Sequence, residues 1–399
     1  MIITLVAGEA SGDQLGAALI QAIRLKHPDT QFAGIGGPLM EAAGMDCWWD
    51  SGQLSIMGLF EVINHIGRIF ALRRQLVARL VELKPDVFIG IDAPDFNLGV
   101  EKKLKARAIP VIHYVSPTVW AWRSGRVKKI AKATDRVMCL FPFEPAYYRD
   151  QTVAADYTGH PMADEIPLQV DAGSARSELG IETTGPCVAL LPGSRLAEVE
   201  KLSAPMLDAA LILTGRYPDI KFLMPAATEL VRNHFESELR RHPGVNCRVF
   251  SNLSKEVMAA ADVVICASGT ATLEVMLVNR PMVVCYRLAG TTYKLAKWFR
   301  LVKTRFFSLP NILASEKLVP ELLQHDVTGQ AIATEVVRWL DQPELRKNLR
   351  QRFDLLHRQL RIDAASTAAD VVLRHVEQGR GQTQFLNDSS DNTIGPDKN

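Results

Sequence analysis

Short apolar segments alternate with longer amphipathic segments along almost the whole chain, and this alternation constrains the fold more than any other feature. The apolar runs have the length of buried strands, and the stretches between them have the length of helices. Strands and helices in strict alternation predict parallel sheets covered by helices on both faces, an α/β fold. The runs are IITLVA, QFAGIG, DVFIGID, IPVIHYVS, RVMCLFPF, CVALLPG, IKFLMPA, VNCRVFS, DVVICAS and PMVVCYR.

The alternation is interrupted near the middle of the chain by GHPMADEIPLQVDAGS, which is rich in Pro and Gly. We therefore expect two Rossmann-like domains, residues 1–165 and 166–344. The segment 345–378 is helical in pattern, and we expect it to cross back and pack on the N-terminal domain of the same chain or of a partner chain. The polar segment 380–399 predicts a disordered tail.

Composition excludes several classes of protein. Forty-six Lys and Arg against forty-four Asp and Glu leave a net charge of +2, so no general attraction to nucleic acid is expected. The six cysteines form no C-x-x-C pair, which favours reduced thiols in the cytoplasm. No signal peptide and no apolar run long enough to span a bilayer is found, so any membrane contact is expected to be peripheral. No metal-site motif occurs, and we expect neither a metal nor a cofactor.

The first strand leads into the loop VAGEASGDQLG, residues 6–16. Gly8 and Gly12 are not spaced as in the G-x-G-x-x-G turn that binds a dinucleotide. Glu9 and Asp13 add negative charge, which disfavours a bare phosphate. The loop suits the hydroxyl groups of a sugar better.

The loop GIDAPDFN places Asp92 and Asp95 after an apolar strand. Ligands of parallel sheets bind at the carboxyl ends of strands, and an aspartate there can act as a general base for a hydroxyl. The alternative is that both aspartates cap the next helix or brace the turn. Spacing alone leaves this open.

Two loops of the second domain have the small residues of a phosphate site at a helix start. An arginine beside the first loop suits a diphosphate, because its guanidinium can form two charge-assisted hydrogen bonds. Ordinary strand–helix turns are the alternative for each. The residues are Gly193, Ser194 and Arg195 in LPGSRLAE and Ser268, Gly269, Thr270 and Glu274 in CASGTATLE.

Two segments combine apolar and basic residues, SIMGLFEVINHIGRIFALRRQL and YKLAKWFRLVKTRFFSLPN. Each fits a surface that lies on an anionic membrane, and each fits a dimer surface equally well; the first also fits a helix that is buried on most sides. A third segment, RSGRVKKIAK, fits a solvated helix face or a site for a phosphate-bearing ligand. The expected membrane-facing residues are Met57, Leu59, Phe60, Val62, Ile63, Ile66, Ile69, Phe70, Trp298 and Phe299.

Taken together, the motifs AGEASGD, GIGGPLM, GIDAPDFN, HYVSPTVWAWR, FPFE, GHP, LLPGSR, SGTATLE and SLPN occur in an order that resembles the lipid-A-disaccharide synthase family. The resemblance runs from the first strand to about residue 375. It implies an inverting glycosyltransferase of GT-B architecture, in which two Rossmann-like domains face a central cleft. The reaction it implies joins UDP-2,3-diacylglucosamine to 2,3-diacylglucosamine 1-phosphate, giving a β-1,6-linked disaccharide and UDP.

The resemblance also implies roles for single residues. Asp92 is the base that takes the proton from the acceptor hydroxyl, and Asn311 and Glu274 bind the donor together with the two small-residue loops. It implies an enzyme peripheral to the cytoplasmic face of the inner membrane, which can form a homodimer by exchanging C-terminal segments. Residues expected to contact the acceptor or to support Asp92 are Glu9, Ser11, Gly12, Asp13, Asp95, Ser116 and Trp122.

Two other functions use the same loops. A UDP-sugar epimerase of this architecture would bind UDP but need no acceptor. A non-catalytic membrane-associated UDP-sugar binder would keep UDP binding after Asp92→Asn, with nothing depending on proton transfer.

Overall fold

The computed structural model describes residues 1–55, 62–117, 124–182, 184–287 and 305–390. They divide into two compact units, one formed by Met1–Pro161 with the chain from Ile362 onward, the other by Met162–Arg361. We call these unit 1 and unit 2. Each contains one parallel sheet with helices between its strands, which confirms the predicted pair of Rossmann-like domains.

The sheet of unit 1 has seven strands within the described residues, in the spatial order β3-β2-β1-β4-β5-β6-β7. The strands are β1 (Ile2–Ala7), β2 (Gln31–Gly36), β3 (Asp46–Asp50), β4 (Val87–Ile91), β5 (Val111–Tyr114), β6 (Arg136–Cys139) and β7 (Ala154–Tyr157). The helices between them are α1 (Ala10–Lys26), α2 (Pro38–Ala42), α3 (Gly52–Ser55), α4 (Val62–Leu83), α5 (Pro94–Lys105) and α6 (Ser124–Ala133), with a 3-10 turn at Glu144–Tyr148.

The sheet of unit 2 has six strands in the described ranges, in the order β10-β9-β8-β11-β12-β13. The strands are β8 (Cys187–Leu191), β9 (Lys221–Ala226), β10 (Cys247–Ser251), β11 (Val263–Ala267), β12 (Met282–Tyr286) and β13 (Glu321–Leu323). The helices are α7 (Pro161–Glu165), α8 (Ala172–Glu178), α9 (Leu196–Arg216), α10 (Glu229–Leu239), α11 (Ser254–Ala260), α12 (Thr270–Leu277), α13 (Leu309–Ala314), α14 (Gly329–Asp341) and α15 (Pro343–Leu360). A final helix, α16 (Ala364–Ser390), returns to unit 1.

The core of each unit follows from its central strands. Every residue of β4, β8 and β11 is buried, as expected for strands covered on both faces. In unit 1, Leu76 and Leu80 of α4 and Val100 and Leu104 of α5 pack with Phe88 of β4 and have no exposed surface. These buried strands end at the carboxyl edge of each sheet. The two candidate sites described below lie at those edges.

Three strands were not anticipated from the sequence: β3, β7 and β13. All three lie at the edge of a sheet, and their residues are only partly buried or exposed. An edge strand has one neighbouring strand and needs no continuous apolar run, so it gives a weaker sequence signal.

The helices at the C-terminus divide between the units, whereas the sequence led us to expect 345–378 on the N-terminal domain. Helix α15 packs on unit 2 through buried residues that include Leu349 and Phe353. Helix α16 packs against α1, where Lys26 Nζ lies 2.5 Å from Asp370 Oδ1. The backbone of α16 stays helical as far as Ser390, so the helix includes the first part of the segment expected to be disordered.

The surfaces expected to face a membrane are described only in part. Phe70 of α4 is 61% exposed, and Ile69 packs partly against the unit 1 core. Met57, Leu59, Phe60, Trp298 and Phe299 lie outside the described residues, as do the side chains of Val62, Ile63 and Ile66. None of the helices in the described ranges is both long and apolar enough to cross a bilayer.

Candidate active site

Strained backbone marks the carboxyl edge of the unit 1 sheet. Asp92 and Ala93, between β4 and α5, have φ values of 48° and 43°, and Val115, directly after β5, has a φ of 80°. Asp tolerates a left-handed conformation, but it is unfavourable for Ala and more so for the β-branched Val, and such strain collects at functional sites. Because β4 and β5 are neighbours, the strained residues lie side by side, and Asp92 N donates to Tyr114 O at 2.8 Å.

A buried asparagine holds the strained loop in place. Asn97, on the first turns of α5, has no exposed surface. Its Nδ2 donates to Asp92 O at 2.8 Å and to Ile91 O at 3.2 Å. The main-chain carbonyl of Asp92 is therefore held by a buried side chain of α5, while Asp92 as a whole stays partly exposed to solvent.

Asp95 stands in a different environment. It is exposed in the first turn of α5, and its carbonyl oxygen accepts a hydrogen bond from Arg73 Nη2 at 2.8 Å. Burial lowers the pKa of Arg73, and the charge of Asp95 opposes that shift. The two aspartates that the sequence left equivalent thus differ in backbone conformation, exposure and neighbouring charge.

The loop that follows β1 adjoins the Asp92 loop. A Cβ added to Gly8 would lie 2.8 Å from Ala93 Cβ, so only glycine permits this approach. Gly12 similarly allows α1 to pack closely on Ala7. Glu9 and Ser11 are both exposed beside these contacts, where they are free to meet a ligand.

Asp13, which we expected to contact the acceptor or to support Asp92, is bonded to the start of α2. It is 3% exposed, and its carboxylate accepts hydrogen bonds from the N–H groups of Gly37, Leu39 and Met40 at 2.8, 3.0 and 3.1 Å. These are donors at the start of α2, which have no partner within the helix. Ser116 is also buried, with Oγ 2.8 Å from Tyr148 Oη, and it supports the loop after β5 from the interior.

Unit 2 carries a cavity of about 530 Å³ at the carboxyl edge of its sheet. Strands β8, β9, β10 and β11 all end at it. Its lining includes all but one of the residues predicted to bind the nucleotide: Gly193, Ser194, Arg195, Ser268, Gly269, Thr270 and Glu274. The structure therefore brings together two loops that are more than seventy residues apart in the chain.

Two glycines shape this cavity. Gly193 and Gly269 have φ values of 127° and 141°, which side chains rarely adopt. A Cβ at Gly269 would meet no atom within 4 Å, so this loop faces open space. A Cβ at Gly193 would instead lie 2.4 Å from Glu198 Oε2.

Charge in the cavity comes from one exposed arginine and two glutamates. The Arg195 side chain is 84% exposed, and its Nη1 lies 3.7 Å from Glu198 Oε1, which leaves the guanidinium available to a ligand. Burial raises the pKa of Glu274, and the positive charge of Lys255 opposes that shift. Arg195 and the backbone N–H groups of the glycine loops are the groups here that suit an anion.

Asn311 does not line the cavity. It is fully buried, its Nδ2 donates to Val319 O and Glu321 Oε1, and its Oδ1 accepts from the N–H groups of Leu318 and Val319. All of these distances are between 2.8 and 3.0 Å. Its amide is fully used inside the protein, so the structure shows a supporting role for Asn311, and the donor contact implied by the resemblance stays a prediction.

The segment held by Asn311 bonds to the loop and helix that follow β11. Ser268 Oγ donates to Phe307 O at 2.8 Å, and Leu309 N donates to Thr272 Oγ1 at 3.1 Å. These two hydrogen bonds therefore link the SLPN segment to the loop and helix after β11.

Sequence reasoning missed the part of the cavity that comes from β9 and β10. Both loops follow predicted strands, and polar residues after strand ends were the available signal. Asn252 has a φ of 56°, a turn conformation that Asn tolerates better than most residues. The missed lining residues are Pro225, Ala226, Ala227, Asn252 and Ser254.

Unit 1 has a larger cavity, about 790 Å³, at the opposite edge of its sheet. It lies beside the amino-terminal ends of β1 and β2 and is lined in part by Arg24, Trp48 and Arg79. The strained loops are at the carboxyl edge, where ligands of such sheets bind, so volume alone does not mark the site.

Trp122, which we expected to contact the acceptor or to support Asp92, lies outside the described residues.

Comparison with known proteins agrees with this geometry. A family model described as lipid-A-disaccharide synthetase matches residues 3–372. A lipid-A-disaccharide synthase of Pseudomonas aeruginosa is 47% identical over 376 residues, covering 94% of this chain and 98% of that protein. One from Xylella fastidiosa is 46% identical over 378 residues, with the same coverage.

The chain belongs to the lipid-A-disaccharide synthase family. It is a glycosyltransferase of lipid A biosynthesis, as the motifs predicted. A UDP-sugar substrate and a glycosyl acceptor follow from membership of the family.

Solved structures show the same fold at low identity. A UDP-GlcNAc 2-epimerase from Neisseria meningitidis, bound to UDP-GlcNAc, superposes with a TM-score of 0.60 at 13% identity, covering 95% of this chain and all of that one. MurG from Acinetobacter baumannii gives a TM-score of 0.57 at 14% identity, covering 94% of this chain and 99% of that one. These likenesses show the GT-B fold and nothing about the reaction, so the epimerase alternative is not favoured over the synthase relatives.

Proposed function

We propose that this chain transfers 2,3-diacylglucosamine from its UDP derivative to the 6-hydroxyl of 2,3-diacylglucosamine 1-phosphate, with inversion at the anomeric carbon. The observation that carries the proposal is the unit 2 cavity, where small-residue loops after β8 and β11 adjoin an exposed Arg195. Such a site suits the diphosphate of a UDP-sugar. The products are a β-1,6-linked disaccharide 1-phosphate and UDP.

In this proposal the donor is activated by the groups that hold its diphosphate. Negative charge grows on the leaving phosphate as the glycosidic bond breaks, and donors already in place stabilise it. Arg195 offers charge-assisted hydrogen bonds, and the N–H groups near Gly193 and Gly269 offer neutral ones. Glu274, at the same cavity, accepts hydrogen bonds from hydroxyl groups of the donor.

Asp92 is the proposed base. Its carboxylate takes the proton from the acceptor 6-hydroxyl as the oxygen attacks the anomeric carbon from the side opposite UDP. UDP is a good leaving group and needs no general acid, so one carboxylate is enough. The strained, pinned backbone at Asp92 is what recommends it over Asp95, which is exposed in a helical turn next to Arg73.

We further propose that the enzyme works at the cytoplasmic face of the inner membrane, because both substrates carry acyl chains. Exposed Phe70 beside Arg73 is consistent with an interfacial surface on α4.

The contact between α1 and α16 can be made within one chain or between two copies that exchange α16, and we propose the exchanged dimer. Light scattering of the detergent-solubilised protein, at half and at double concentration, tests for the dimer that the exchange requires, and a monomer at both concentrations would exclude the exchange.

Turnover in mixed detergent micelles tests the function. The wild-type protein is incubated with UDP-diacylglucosamine and the acceptor, and disaccharide and UDP are followed together. The proposal predicts equal amounts of both products and none without acceptor. UDP-sugar conversion that proceeds without acceptor would indicate an epimerase, and UDP binding without any product would indicate a non-catalytic binder.

A further inference from the structure

A glutamate and a histidine are buried together behind the Asp92 loop. Glu101 of α5 and His113 of β5 have no exposed side-chain surface, and His113 Nδ1 lies 2.6 Å from Glu101 Oε1. Glu101 Oε2 and His113 Nε2 are buried without a hydrogen-bond partner within the described ranges. Burying ionisable groups with atoms left unsatisfied costs stability, and apolar side chains of similar volume would pack at lower cost. The pair therefore calls for a role beyond packing.

The pair lies directly under the strand end that carries Asp92. In the register of β4 with β5, His113 is opposite Gly90, two residues before Asp92. A Cβ at Gly90 would lie 2.2 Å from Glu101 Oε1, so the carboxylate approaches this backbone only because residue 90 is glycine. Asn97, four residues before Glu101 on the same face of α5, holds the Asp92 carbonyl. Helix α5 thus supports the strand end at two successive turns.

Charge connects the pair to Asp92. Burial alone lowers the pKa of His113, but the charge and hydrogen bond of Glu101, together with the charge of Asp92, outweigh burial and raise it. Burial raises the pKa of Glu101, with His113 opposing the shift. The 2.6 Å contact between Nδ1 and Oε1 is a hydrogen bond that carries one proton.

We propose that His113, held by Glu101, is a positioning residue for Asp92. It fixes the strand end on which the strained loop rests, and with it the position of the carboxylate that accepts the proton. Both side chains are fully buried, so they act through Asp92 and not by touching substrate. This inference rests on the proposed function, in which Asp92 is the base.

Two substitutions test it, Glu101→Gln and His113→Gln. Glu101→Gln keeps the shape of the side chain and removes its charge, so it is the milder change. We expect kcat to fall about 10-fold to 100-fold in both, by analogy with the loss seen when groups that orient metal ligands are removed. We expect the KM values of both substrates and the Kd of UDP to stay within about twofold, because no binding group is altered.

His357→Gln is the matched control. His357 is also buried, 2% exposed, and its Nε2 lies 2.9 Å from Ala163 O in unit 2. It reports the cost of replacing a buried histidine away from Asp92, and we expect kcat to be unchanged. Should His113→Gln not fold, Glu101→Gln alone carries the test.

A kcat equal to wild type in Glu101→Gln would overturn the proposal. A loss of activity that only follows the unfolded fraction, measured by thermal melting of each variant, would overturn it as well. The proposed function fails separately: it falls if the wild-type protein forms no disaccharide, whatever the variants do.

Discussion

The two units hold different kinds of loop at the carboxyl edges of similar sheets. In unit 1 the loop around Asp92 is strained, and buried side chains of α5 fix it from below. In unit 2 the loops around Gly193 and Gly269 border an open cavity, and the charged Arg195 beside them is largely exposed. The difference fits the chemistry. A base must be held in a narrow geometry, whereas a diphosphate is bound by backbone N–H groups and a cation that reaches it.

Arg195→Ala gives the largest effect expected in unit 2. The guanidinium is 84% exposed and its ion pair with Glu198 is a loose 3.7 Å contact, so we expect its loss to remove the proposed ligand contacts and to leave the fold intact. We expect kcat/KM for the donor to fall about 100-fold, as the loss of charge-assisted hydrogen bonds implies, with an unchanged melting temperature. Arg338→Ala is the control, because Arg338 is also exposed and its Nη1 lies 3.6 Å from Glu335 Oε2 in the same i,i+3 relation. An equal kcat/KM for Arg195→Ala and Arg338→Ala would contradict the proposed role of Arg195 in donor binding.

Asn311→Ala tests whether the SLPN motif binds the donor or supports the fold. It removes four buried hydrogen bonds, and we expect the free energy of unfolding to fall by about 2–3 kcal/mol. At temperatures where the variant is folded, the Kd of UDP should match wild type. Asn233→Ala, at an exposed position on α10, should change stability by no more than about 0.5 kcal/mol. Normal stability with weakened UDP binding would show that Asn311 contacts the donor after all.

The two cavity glycines should differ in their tolerance of alanine. Gly269→Ala meets no atom, so we expect only backbone strain, about 1–2 kcal/mol. Gly193→Ala adds a clash with Glu198 and should cost more. Gly215→Ala, inside α9 with open space around it, should stabilise by about 0.5–1 kcal/mol. Chemical denaturation measures the free energy of unfolding of the three variants. Equal losses for Gly193→Ala and Gly269→Ala would show that Glu198 moves away from the added methyl group without an energetic cost.

Much of the fold could be read from the sequence because central parallel strands are continuous apolar runs. The edge strands β3, β7 and β13 could not, since half of their surface faces outward. The two glycine loops of unit 2 were also singled out from the sequence, although ordinary strand–helix turns stayed open for each, and the structure shows that both line one cavity.

The structural roles of Asp13 and Asn311 were not predictable. Asp13 bonds to N–H groups 24 to 27 residues away, and Asn311 completes a network with β13. A polar side chain in a motif looks the same in the sequence whether it meets a ligand or a distant backbone donor. The Glu101–His113 pair was hidden for the same reason, because twelve residues and the end of a helix separate its members.

The most direct test of the central claim is the turnover of Asp92→Asn and Asp95→Asn beside wild type, with the Kd of UDP measured for each. The account predicts that Asp92→Asn lowers kcat by about two to four orders of magnitude with UDP affinity retained, because a general base contributes about that much. It predicts a much smaller loss for Asp95→Asn. An Asp92→Asn enzyme within tenfold of wild type, or an Asp95→Asn enzyme that is equally impaired, would contradict the assignment of Asp92 as the base.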